Sequence, residues 1–225
     1  MKTSYEYAKS LKKCANVLVP DGVDGWHVFP FTSYGHKVTT YEPDSLFIHG
    51  GEVFEGNKKI EIYGLEKRLK AYDKQQNVCY HQKNFFEQPS TEKYDFVYVV
   101  QSLNRECNSH ISMEEKIHAL QNAVAEGGCI YIYYYLAIID DVIRYPINQY
   151  PRDGDISSYF CSSDWEILYQ KDRKKIRLDQ PHFGDPRKHY HRIGYIYARK
   201  INKEQESKKT YYYHFNLSFG RKEIT

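Results

Sequence analysis

The chain has 225 residues, with 32 lysines and arginines against 29 aspartates and glutamates, a formal charge of +3. That bias, without a dense basic stripe, is too small to make nucleic acid the expected partner, and aromatics at 16% of residues exclude wholesale disorder. A mean hydropathy of −0.74, with no apolar stretch longer than residues 129–139, excludes a membrane-spanning helix.

Nothing apolar follows Lys2, so no secretory signal is read and a cytoplasmic location is expected. Residues 4–13 then read as a helix, opened by a Thr3-x-x-Glu6 capping box with Tyr7 and Leu11 on one face. Residues 16–20 (NVLVP) and 36–41 (HKVTTY) read as strands. Pro30 falls in the segment between them, which should hold the first crossover helix, so that helix is expected to be kinked, broken or late. Ile62, Leu65, Leu69 and Tyr72 recur at helical spacing over residues 60–72, with Glu66 and Lys70 paired on the outer side.

Residues 77–81 and 94–100 are further strands. Ser112-x-x-Glu115 opens the clearest helix, with Met113, Ile117, Leu120 and Val124 on one face and Gly127-Gly128 as its stop. A strand follows over 129–135, then a short helix over 155–161. Strands over 165–170 and 194–199, joined by a polar loop, suggest an antiparallel hairpin. Strands alternating with helices mark a mostly parallel sheet covered on both faces. Residues 1–200 are expected to form one domain; residues 201–225 are a tail with a possible strand over 211–215. The five cysteines are odd in number and never in a Cys-x-x-Cys pair, so reduced thiols are expected, with Cys79 and Cys129 as small hydrophobes in strands.

The most informative stretch is residues 16–44: strand, tight loop Asp21-Gly22-Val23-Asp24-Gly25, helix-length segment, second strand, then Glu42 at its end. Nucleoside binding asks for this layout. The loop lets a ligand approach the backbone, and an acid at the second strand's tip accepts hydrogen bonds from ribose hydroxyls.

Together with Lys83-Asn84-Phe85 after the third strand, Tyr94-Asp95-Phe96-Val97 with Gln101 and Ser102 beyond it, Gly127-Gly128, and the closing segments at 154–168 and 190–200, this stretch resembles the class I S-adenosylmethionine (SAM) dependent methyltransferases. More narrowly it resembles the tellurite-resistance group, over about residues 10–200. The resemblance implies a three-layer Rossmann-like α/β sandwich with an antiparallel C-terminal hairpin. It further implies SAM as cofactor, methyl transfer to a small-molecule acceptor, and a monomer or homodimer. Asp21, Gly22, Gly25, Glu42, Asn84, Phe85 and Gln101 are the implied cofactor-binding residues. Ser102 and Tyr135 are the catalytic candidates, and Trp26, His27, Tyr134 and Asp140 the candidates for contacting substrate.

One departure stands out. The family's Gly-x-Gly-x-Gly is here Asp21-x-Val23-x-Gly25, which narrows the space for the cofactor's methionine part and makes positive φ costly at Val23. It motivates a second reading: a methyltransferase-like fold that has lost methylation and binds another ligand, uses SAM for different chemistry, or serves as an interaction module. The lack of an Asn/Asp-Pro-Pro-Tyr/Phe segment argues against amino-directed nucleic-acid methylation. His189 and His191 could share a strand face and hold a metal with His182, but the segment reads as a loop, and no metal is expected.

Overall fold

Strand residues alternate between two separate cores, and that alternation builds the molecule. The computed structural model describes residues 3–55, 58–179 and 188–203. In chain order the elements are α1 (Ser4–Ser10), β1 (Asn16–Val19), α2 (Phe29–Ser33), β2 (Lys37–Tyr41), α3 (Ser45–His49), β3 (Gly51–Glu55), β4 (Lys58–Ile62), α4 (Leu65–Ala71), β5 (Val78–His81), β6 (Tyr94–Val100), α5 (Met113–Ala123), β7 (Val124–Leu136), α6 (Asp155–Ser158), β8 (Trp165–Asp172), β9 (Arg177–Asp179) and β10 (His189–Lys200).

Val17, Val19, Phe96, Tyr98, Tyr131 and Tyr195 point to one face of the sheet and pack on Tyr7 and Ala8 of α1 and on Val28 and Phe31 beside and within α2. Their neighbours Leu18, Val97, Val99, Ile130, Ile132 and Ile196 point to the other face, against Ile117 and Leu120 of α5 and Ile156 of α6. Period-2 alternation with apolar residues at both parities is what a sheet buried on both sides requires. Each fully buried aliphatic side chain contributes about 1.5–3 kcal/mol to folding before entropy is counted.

The strand order is β5-β2-β1-β6-β7-β10-β8, with β9 pairing β10. The pairs among β5, β2, β1, β6 and β7 are parallel. β10 runs antiparallel between β7 and β8. The chain leaves β1 toward β2 on one side and returns to β6 on the other, so a crevice opens at the carboxyl ends of β1, β2 and β6, where open α/β sheets bind ligands.

Several boundaries differ from the sequence reading. The first helix keeps its capping box, with Glu6 N donating to Thr3 Oγ1 at 3.2 Å, but stops at Ser10. Lys58–Ile62 is a strand in a β3–β4 hairpin rather than the start of a helix, and α4 begins only after Gly64 at φ +82°. Lys58 to Ile62 reads KKIEI, whose alternation suits a ribbon. Glu66 is held by His49 Nδ1 at 2.8 Å and by the Tyr80 hydroxyl rather than by Lys70. α2 does begin late, with Pro30 in its first turn, where a missing N–H is harmless. α5 ends at Ala123, Val124 is already extended, and Gly127-Gly128 lie inside β7. β10 starts at His189, so the two histidines stand on a strand. Cys79 is exposed, against expectation, while Cys129 is half-buried, and all five cysteines are free. The 211–215 segment and His182 lie outside the described residues. No helix of the described residues is long and apolar enough to cross a membrane.

Candidate functional site

The turn leaving β1 folds back on β2. Gly22 N donates to Tyr41 O at 3.0 Å, and a Cβ at Gly22 would lie 2.3 Å from Thr40 Oγ1, so only glycine fits this crossing. Gly25 sits at φ +101° and its carbonyl accepts from Val28 N at 2.9 Å, starting the run into α2. Between them Val23 takes φ +47°, a region costly for a β-branched residue. Such outliers persist where surrounding structure imposes them, and they concentrate at functional sites. Gln101, just past β6, is a second one at φ +60°.

This turn and the end of β2 converge on one buried charge cluster. Glu42 is 1% exposed and Asp21 6%. Arg105, five residues beyond the end of β6, reaches across the crevice to both. Its Nη1 donates to Asp21 Oδ1 at 2.7 Å and to Glu42 Oε2 at 2.8 Å, and its Nη2 to Glu42 Oε1 at 3.1 Å. Glu42 Oε1 also accepts from Asp44 N at 3.0 Å. Burial pushes the Asp21 carboxyl up to about 6, a rise that Arg105 moderates and Glu42 adds to. The Ser102 hydroxyl faces Asp21 as well, without closing a hydrogen bond of ordinary geometry. Burial works against the Arg105 charge, but attraction to the two acids outweighs it and holds the guanidinium above its ordinary value.

Around this cluster lies a cleft of about 480 Å³ lined by Asp21, Val23, His27, Gln101, Arg105 and Tyr135, among others. Burial lowers the His27 pKa, with Asp24 opposing, which favours the neutral imidazole. The Gln101 amide donates to the Tyr135 hydroxyl. The Tyr135 backbone is clamped by Asn104, whose Oδ1 accepts from Tyr135 N at 2.8 Å and whose Nδ2 donates to Tyr135 O at 3.0 Å. Burial raises the Tyr135 phenol, so it stays protonated. Fully buried Lys116 donates to Leu103 O at 3.0 Å and to Asn148 O at 2.5 Å, tying the segment after β6 to the loop after β7. Burial lowers that amine to about 8. A second cavity of about 1070 Å³ adjoins the cleft and shares Tyr150, His189 and His191 with it; Ile139, Tyr145, Ile176 and Leu178 give it apolar walls.

Of the residues singled out from sequence, Asp21, Glu42, Ser102, Gln101, Tyr135 and His27 therefore come together at the crevice, with Gly22 and Gly25 shaping the turn. The others lie elsewhere. Tyr134 is wholly buried on the α5 face, its hydroxyl donating to Asp172 Oδ1 at 2.7 Å. It alternates with Tyr135, so only one of the two can face the cleft. Asp140 is 93% exposed and pairs with Arg152. Trp26 is 68% exposed and lies under Arg68, which is bound to Asp24 at 2.8 Å. Asn84 donates to Asn108 Oδ1 at 2.8 Å, and Phe85 packs edge-on against Tyr41 in the core. Sequence reasoning missed Arg105. The signal was available: two acids at adjacent strand tips call for a cation, and Arg105 is the first one after β6, the strand that flanks β1 on its other side.

No protein-family model and no curated protein matches the chain. Solved structures do. TehB from Haemophilus influenzae aligns at a TM-score of 0.63 and 15% identity over 88% of this chain, which spans 61% of the TehB chain. YcgJ from Bacillus subtilis aligns at 0.59 and 8% identity, over 88% of this chain and 98% of that one. A SAM-dependent methyltransferase from Methanosarcina mazei aligns at 0.57 and 13% identity, over 88% and 97%. The chain has the class I methyltransferase fold.

Proposed function

We propose that the protein transfers a methyl group from SAM to a small-molecule acceptor. The observation that carries this reading is the buried Glu42 carboxylate at the tip of β2, converging with the turn after β1 on one cleft. The donor chemistry fits. A ribose diol offers hydroxyl donors to Glu42, and an amino-acid ammonium offers a cation to Asp21. Arg105 presents the same two things, N–H donors and positive charge, so it is an internal occupant of these acceptors and has to turn away for a ligand to use them.

When bound, the cofactor supplies a methyl group made electrophilic by its sulfonium. The chain's task is then alignment and exclusion of water. Glu42 would orient the sugar and Asp21 the amino-acid end. Tyr135, fixed by Gln101 and Asn104, would wall the methyl side with Ser102, and neutral His27 could accept a proton from the acceptor. The second cavity would admit an acceptor with an apolar body.

Arg105 and Val23 favour a second reading, a fold that binds a different ligand with these acids and no longer methylates. Calorimetry with SAM and its demethylated product separates the two. Micromolar binding that Glu42→Ala weakens at least about tenfold supports methyl transfer, since one charge-assisted hydrogen-bonding group is worth about 1.5–3 kcal/mol. No binding of either ligand leaves the second reading.

A further inference from the structure

We propose that Asp179, His189 and His191 form a binding site for a divalent transition metal at the junction of the cleft and the acceptor-side cavity. Among the described residues, these three offer ligand atoms that all lie within 4.8 Å of one another. The placement follows from strand geometry. His189 and His191 are two apart on β10 and so share a face, and His189 is the direct cross-strand partner of Asp179 on β9. His191 Nε2 and Asp179 Oδ2 are 3.3 Å apart. Two donors each about 2.1 Å from one ion are about 3.0–3.4 Å apart in octahedral or tetrahedral coordination, so this pair already has the required spacing.

Two further features suit a metal. The His191 ring is fixed by stacking on Tyr135, with centroids 3.9 Å apart and planes 6° apart, and its position therefore couples to the wall of the transfer cleft. Both histidines also line both cavities, so ligand positions left open by three protein donors would face the space where an acceptor enters. Two imidazoles and one carboxylate suit zinc, iron(II), cobalt or nickel rather than magnesium or calcium. Arg177, the register partner of His191, and Lys188 and Arg144 of the cavity wall add positive charge nearby. The open positions would then take an anionic or ionisable oxygen or nitrogen donor of the acceptor. That last role rests on the methyl-transfer reading; the metal site does not.

The test uses the full chain, stripped with a chelator and titrated with cobalt(II) followed by visible absorption, then with zinc in competition. One equivalent should bind at micromolar concentration or tighter, with a spectrum of nitrogen and oxygen ligands and no thiolate charge transfer. His189→Ala, His191→Ala and the near-isosteric Asp179→Asn should each weaken binding at least about tenfold, with circular dichroism unchanged. Cys79→Ser, which removes the thiol lying 3.6 Å from His81 Nε2, should leave it unaltered. Absence of binding, a thiolate spectrum, or unchanged affinity in Asp179→Asn and His189→Ala would overturn the proposal and leave a plain histidine–carboxylate pair. None of these readouts involves methyl transfer, so their failure leaves that reading standing, and failure of SAM to bind leaves the metal site standing.

Discussion

Replacing Arg105 with methionine keeps the length of the stem and removes the charge. Glu42 and Asp21, 1% and 6% exposed, would then face each other without a cation. Stripping one partner from a buried ion pair costs about 3–5 kcal/mol. Arg105 is itself 25% exposed, so water can partly replace it and the lower end applies, about 3 kcal/mol. For a chain of this size that is a fall in Tm of roughly 6–12 °C. The loss has a definite pH dependence. Without Arg105 the Asp21 carboxyl, already raised by burial, loses the charge that moderates the rise, and a group raised in the folded state contributes stability below its unfolded pKa and loses it as pH climbs through the folded one. The Tm deficit should therefore be small near pH 4 and full above pH 7. Ligand affinity should move the other way: SAM or its product should bind Arg105→Met more tightly than the parent, because the internal competitor is gone. Differential scanning fluorimetry across pH and calorimetry at pH 7.5 measure both. A deficit that is largest in acid, or an affinity that falls, would show that Arg105 is not a competing occupant of these acids.

Asp21→Asn removes a carboxyl held at about 6 against an ordinary 3.8. The same sign applies, so its stability relative to the parent should improve by up to ~3 kcal/mol from pH 4 to pH 7, measured by urea unfolding. Val23→Gly relieves the φ +47° strain and widens the cleft, and calorimetry should show nucleoside ligands binding more tightly with little change in Tm. Gly22→Ala places a Cβ 2.3 Å from Thr40 Oγ1; it should destabilise by about 1–3 kcal/mol in chemical denaturation and distort the turn.

The sequence by itself determined the order of the parallel strands, the two-sided sheet and the approach of the turn after β1 to the tip of β2. These depend on local signals: capping boxes at Thr3 and Ser112, alternation in β1, β6 and β7, a proline at the start of α2, and an acid at the end of β2. It failed where a short segment had two consistent periods, as over residues 58–62, and where parity decided facing, as for Tyr134 against Tyr135. Only the tertiary structure decided that Arg105 crosses the crevice to hold both acids, that Asn84 and Phe85 turn into the interior, and that β9 carries Asp179 beside His189 and His191. Contacts of that kind join residues from ten to more than eighty positions apart, and chain distance holds no record of them; they exist only once sheet register and loop closure have set which side chains meet.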